Sequence, residues 1–166
     1  MSHQDLREYD NYYARHNRIQ VVTAAQEHIA AIAENLRPMD AIEIACMGGD
    51  PAEALSRGIE ESHCALTVLD DDDVPIAMFG VNACGNHMHS IWCLGTPGVE
   101  ENLRDWIRYS RKYVNSISAP FGVTFNFVHH ENEKAIRWLR FCGAQFINER
   151  KFNNQKFYEF IICVNL

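Results

Sequence analysis

The sequence lacks a C-x-x-C pair, a G-x-S-x-G elbow and any apolar run near the roughly 20 residues that span a bilayer. Each absence removes a class of function. The six cysteines, Cys46, Cys64, Cys84, Cys93, Cys142 and Cys163, are scattered, and most sit in apolar segments. They read as reduced thiols acting as small hydrophobes, not as a disulfide framework or a metal site. Without the elbow there is no case for a serine hydrolase, and no Cys/His nucleophile arrangement replaces it. The segment Met1–Glu8 has neither an apolar core nor a cleavage-site pattern, so no secretory signal is read there and a cytosolic location is expected.

Positive charge is also in short supply. Fifteen Lys and Arg stand against 22 Asp and Glu, a net charge of −7, which opposes a broad nucleic-acid surface. Arg104, Arg108, Arg111 and Lys112 recur at helical spacing. They read as a solvated helix face, with a local basic patch left open. The run Asp70–Asp73 lacks the alternating ligands and the glycine of a calcium loop, so it reads as a solvated turn. His87-x-His89 and His129–His130 are separate pairs, too few in one place for zinc, and no metal is expected.

What is present is the pattern of one mixed α/β domain. The hydrophobic share of 47% is that of an ordinary folded chain, and 166 residues suffice for one core. Residues 1–18, with Tyr9, Tyr12, Tyr13 and Arg15, read as a polar arm, and 19–166 as the domain. Ile19–Val22 reads as a strand. Thr23 is the expected cap of a helix whose stripe is Ile29, Ile32, Ala33 and Leu36. Pro38 restarts a short helix, Gly48–Gly49 ends it, and Asp50–Pro51 opens another that runs to about Glu61. Strands follow at 64–69, 75–81 and 88–94, then one long helix over 99–117 broken at Ala119–Pro120. A buried strand at 121–128, a helix from Asn132 to Cys142 capped by Gly143, and a hairpin turning at Asn153–Asn154 close the chain.

That order of elements resembles the GNAT acetyltransferase superfamily. In the segment Asn132–Ala144, Asn132, Ala135 and Gly143 match its N-x-x-A…G pattern at the family's spacing, with Phe146 close behind. A narrower resemblance, carried by 36–43, 75–81, 92–96 and 135–139, is to the phage Gp13 family, GNAT-like proteins of short-tailed phages. The superfamily implies a twisted mixed sheet of six to seven strands with helices on both faces, and an acetyl-CoA cleft. The positions matching that cleft are Ile91, Cys93, Leu94, Gly95, Thr96, Gly98, Asn126 and Asn132. Glu43, on the short second helix with Arg37 and Asp40, and His89, on the strand at 88–94, are the candidate bases.

Two departures mark the chemistry. Glu100 stands where the superfamily's phosphate loop has a small residue, and with Glu101 it sets negative charge against phosphate. Leu139 stands where many of these enzymes carry a tyrosine acid. The phage resemblance therefore implies a protein made in the infected bacterial cytoplasm and found in the virion in some cases. It would bind phage virion proteins or a host protein, with a degraded acyl-CoA site and with neither nucleic acid nor membrane as partner. The alternatives are an acetyl-CoA-dependent N-acetyltransferase for a host protein or a small amine, and a non-enzymatic inhibitor of a host protein.

Overall fold

Alternating or continuously apolar runs build eight strands among the described residues: β1 (Ala14–His16), β2 (Ile19–Thr23), β3 (Ser62–Leu69), β4 (Pro75–Ala83), β5 (His89–Gly95), β6 (Val123–His129), β7 (Gln145–Phe152) and β8 (Gln155–Cys163). In the computed structural model, which describes residues 14–164, they hydrogen-bond into one sheet ordered β1-β2-β3-β4-β5-β6-β8-β7. Every pairing is antiparallel except β5 with β6. The mixed sheet agrees with the sequence reading, while eight strands exceed the six or seven expected. The extra one is β1, which lies inside the segment read as an arm and pairs Ala14 with Val21. Tyr9, Tyr12 and Tyr13 lie outside the described residues.

Six α-helices among the described residues flank the sheet: α1 (Ile29–Ala33), α2 (Pro38–Cys46), α3 (Pro51–Glu61), α4 (Gly98–Glu101), α5 (Leu103–Ser118) and α6 (Glu133–Phe141). Their ends follow local chemistry. Asp50 accepts the Glu53 N–H at 3.1 Å to cap α3, and Pro51 takes its first position. Gly48 and Gly143, at φ 74° and 96°, end α2 and α6 in the left-handed region. The hairpin turn Asn153–Asn154 has positive φ at both residues, the conformation that asparagine tolerates best after glycine.

Two expectations fail for identifiable reasons. Thr23 is paired with Leu66 as the last residue of β2, so it caps nothing. A 3-10 turn at Gln26–His28 leads into α1 instead, and Ala25 N–H donates to His28 Nδ1. The single helix over 99–117 is broken at Asn102, whose buried side chain donates to the Gly98 carbonyl, so that α4 is one turn and α5 starts afresh.

The strands sort their side chains by parity. Phe79, Val81 and Ile91 face α5 with Trp106, Tyr113, Val114 and Ile117, whereas Met78 faces α1 and α3 with Ile32 and Leu55. Gly58 lets α3 close onto the sheet, because a Cβ there would lie 2.7 Å from Trp92 Cζ2. The acidic turn also has a structural task. Arg18 Nε lies 3.1 Å from Asp71, and its backbone N–H donates to Asp105 at 3.1 Å. His16 meets the Tyr113 hydroxyl at 2.6 Å and stacks on Tyr109. These contacts fasten the β1–β2 hairpin over α5.

Candidate functional site

The site is made where β5 and β6 part. The two parallel strands share one paired position, Ser90 with Phe125, and then separate. Asn126 holds them apart. Its Nδ2 donates to the Ile91 carbonyl at 2.6 Å, and its Oδ1 accepts the Phe127 N–H at 2.8 Å, so one side chain satisfies both strand edges where a ladder would continue. The signal in the sequence is an amide between two phenylalanines inside an apolar strand.

Past this wedge a cleft of about 900 Å³ runs through the sheet. Trp92, Gly58 and Arg57 line it on the α3 side, and Leu103, Ile107, Trp138 and Phe141 on the α5–α6 side. Trp138 is half-buried here. It donates to Ser110 Oγ at 2.8 Å and stands beside Trp106. Leu139, in the place of the tyrosine acid, is buried in the core.

Helix α2 closes the far end of the gap from both sides. On the β5 edge, Arg37 N–H donates to the Gly95 carbonyl at 2.9 Å and Asp40 Oδ2 accepts the Gly95 N–H at 2.8 Å. Arg37 also grips Asp40 through Nε and Nη2 at 3.1 and 2.8 Å. Burial works against the Arg37 charge, but Asp40 outweighs it and holds the guanidinium above its ordinary range. On the β6 edge, Glu43 Oε1 accepts the His129 N–H and Asn132 Nδ2, both at 3.0 Å. Asn132 meanwhile caps α6 through the Ala135 N–H at 3.3 Å.

Glu43 is the carboxyl that burial holds near neutrality in this arrangement. Burial pushes its carboxyl up to about 7, against the Asn132 and His129 donors, which favour the charged form. It lines the cleft, as do Ile91, Cys93, Leu94, Asn126 and Asn132. Burial also pushes the Cys93 thiol up to about 12, which leaves it inert as a nucleophile. His89 is elsewhere. It stacks on Phe121 at 4.2 Å with His63 beside it, at the end of β5 where the strands are still paired. Burial and the neighbouring His63 hold it below the ordinary histidine value. The structure therefore separates the two candidate bases, and of the two only Glu43 lines the cleft. No cluster of metal-ligating side chains occurs among the described residues.

Gly95, Thr96 and Gly98 form a closed turn. Gly95 N–H is held by Asp40, Thr96 N–H by the Ile76 carbonyl at 2.8 Å, and Gly98 N–H by Thr96 Oγ1 at 3.2 Å. Val99, Glu100, Glu101 and Asn102 donate their N–H groups to carbonyls of Thr96, Pro97, Pro97 and Gly98. A Cβ on Gly98 would lie 2.5 Å from Ile76 Cγ2, so this glycine admits the sheet, not a phosphate. The pyrophosphate of coenzyme A needs a cradle of free backbone donors. This loop has none among Gly95–Asn102, and the Glu100 carboxylate beside it is bound by Lys134 at 2.8 Å. The separated strands suit an extended pantetheine arm, since Cys93 shares the parity of Ile91 and Gly95 and turns its backbone groups into the gap. The loop does not suit the coenzyme's nucleotide end.

No family model and no curated protein matches the sequence. Solved structures do match in shape. The GNAT-family acetyltransferase from Bacillus anthracis aligns with a TM-score of 0.58 and 13% identity over 90% of this chain and 96% of its own. The ribosomal-protein-S18-alanine N-acetyltransferase from Escherichia coli gives 0.64 and 8% over 89% and 95%. The protein yncA from Salmonella typhimurium, solved with its cofactor acetyl-CoA, gives 0.65 and 13% over 90% and 95%. At such identities the likeness is one of fold. It agrees with the GNAT fold expected from the sequence and does not bear on the phage resemblance, which rests on its motifs alone.

Proposed function

We propose that this chain, which has the GNAT acetyltransferase fold, is an N-acyltransferase that moves an acyl group from a pantetheine thioester to an amine, with Glu43 as general base. The observation that carries the reading is the Glu43 carboxyl, poised near neutrality in the cleft and oriented by two N–H donors. An amine must be unprotonated to attack. Glu43 takes the proton from the amine nitrogen as the new C–N bond forms and the C–S bond breaks. Leu139 offers no acid, so the proton held by Glu43 is the one within reach of the departing sulfur, and donor thiol plus amide leave the site. No step is assigned to coenzyme A, because the loop at Gly95–Asn102 does not fit its pyrophosphate.

The test is thiol release from acetyl-pantetheine across a panel of primary amines and peptide N-termini. Glu43→Gln should lower the rate by about a hundredfold or more, whereas His89→Ala should leave it unchanged. Full activity in Glu43→Gln, or loss in His89→Ala, would overturn the assignment. A second reading is favoured by the fully engaged loop: a GNAT scaffold that binds a protein partner without catalysis, in keeping with the phage resemblance. It predicts no thiol release with any donor.

A further inference from the structure

We infer that the groove between α5 and α6 docks an acidic carrier protein, which delivers the acyl group on its phosphopantetheine arm. The inference rests on the acyl-transfer reading and concerns the source of the donor. The groove has an apolar floor and a basic border. Leu103 and Phe141 are 51% and 42% exposed, and both line the mouth of the cleft that leads to Glu43. Arg104, Arg108 and Arg111 follow one another at i, i+4 and i+7 on α5 and are exposed. Across the groove, Arg137 lines the cleft from α6, and Arg111 lies 5.9 Å over the Phe141 ring, joining the two sides.

None of these four arginines has an ion-pair partner among the described residues. On a chain of net charge −7, these four guanidiniums around exposed apolar residues form a local field of opposite sign. Such a field attracts an acidic helix and gives long-range steering. Because the backbone donors that would fix a pyrophosphate are engaged, affinity for the donor must come from elsewhere. A carrier protein supplies it through its own surface, and its arm carries one phosphodiester in place of a nucleotide.

The test uses the full chain and three donors with the same acyl group: an acylated bacterial acyl carrier protein, acyl-CoA and acyl-pantetheine. At low salt the carrier should exceed acyl-pantetheine in kcat/KM by about a hundredfold, and acyl-CoA should stay within a few-fold of acyl-pantetheine. Raising salt from about 50 to about 500 mM should remove most of the carrier's advantage. The triple variant Arg104→Glu, Arg108→Glu, Arg111→Glu should abolish that advantage and leave the rate with acyl-pantetheine unchanged.

Acyl-CoA matching the carrier, or a carrier no better than acyl-pantetheine, would overturn the inference. Silence with all three donors would sink the acyl-transfer reading itself. Titration of the unacylated carrier against wild type and triple variant still judges the surface: absent binding, equal binding by both, or displacement of the carrier by a random DNA duplex would each reject it.

Discussion

Glu43 and Asn132 meet at 3.0 Å, and the asparagine that begins α6 is thereby also the clamp on the carboxyl that lines the cleft. The motif residue has two tasks that the sequence presents as one. Its Oδ1 caps the helix, and its Nδ2 orients the Glu43 carboxyl.

Asn132→Asp separates these tasks. The cap survives, since aspartate accepts the Ala135 N–H as well as asparagine does. The donor to Glu43 is replaced by a second carboxylate, so the variant should lose more stability at pH 8 than at pH 5. Thermal unfolding at both pH values checks this. Asn132→Ala should cost about 1 kcal/mol for the cap with a weaker pH dependence.

Glu43 itself should make the fold less stable as pH rises. Its folded value of about 7 lies above the ordinary 4.5, so the folded state binds more protons in that window. Stability is then fully present below 4.5 and declines until the carboxyl is ionised in both states above about 7. Glu43→Gln keeps an acceptor for His129 N–H and Asn132 Nδ2 without the charge. Its melting temperature should exceed wild type at pH 8 and match it near pH 4.

The same titration should govern catalysis in the opposite sense. Only the ionised carboxylate accepts a proton, so kcat/KM should rise with pH through about 7. A profile flat from pH 5.5 to about 8.5 would remove Glu43 from the role of base.

Gly98→Ala asks what the loop glycines are for. The added Cβ would sit 2.5 Å from Ile76 Cγ2, an overpacking that should cost about 1–3 kcal/mol. In an Ile76→Ala background the same substitution should cost less, read from the denaturant midpoints of the four proteins in the cycle. A stable Gly98→Ala protein would mean that the glycine leaves room for a ligand.

Much of the frame was legible in the chain. Asp50–Pro51, Gly48, Gly143 and Asn153–Asn154 are local signals whose meaning does not depend on distant residues, and the elements end where they say. The Asn102 break was hidden because its cause is a side-chain bond to Gly98 inside an otherwise helical pattern. The site was legible in part. Glu43 and Asn132 could be named, but their bond joins residues 89 apart, and nothing local to either predicts it. His89 was as good a candidate by residue type. Only its placement beside Phe121, at the closed end of the strand pair, takes it out of the cleft.

Helix α2 is riveted to both banks of the gap, at Gly95 through Arg37 and Asp40, and at His129 and Asn132 through Glu43. The width of the channel is therefore not a property of the sheet but of a nine-residue crosspiece. Under the proposed function, a donor threading along Cys93 toward Gly95 would have to compete with the crosspiece for the same backbone groups. Dislodging Asp40 would loosen the helix that carries Glu43, so under the proposed acyl transfer the arrival of one substrate would be felt at the group that serves the other. Loading and chemistry would share a single latch.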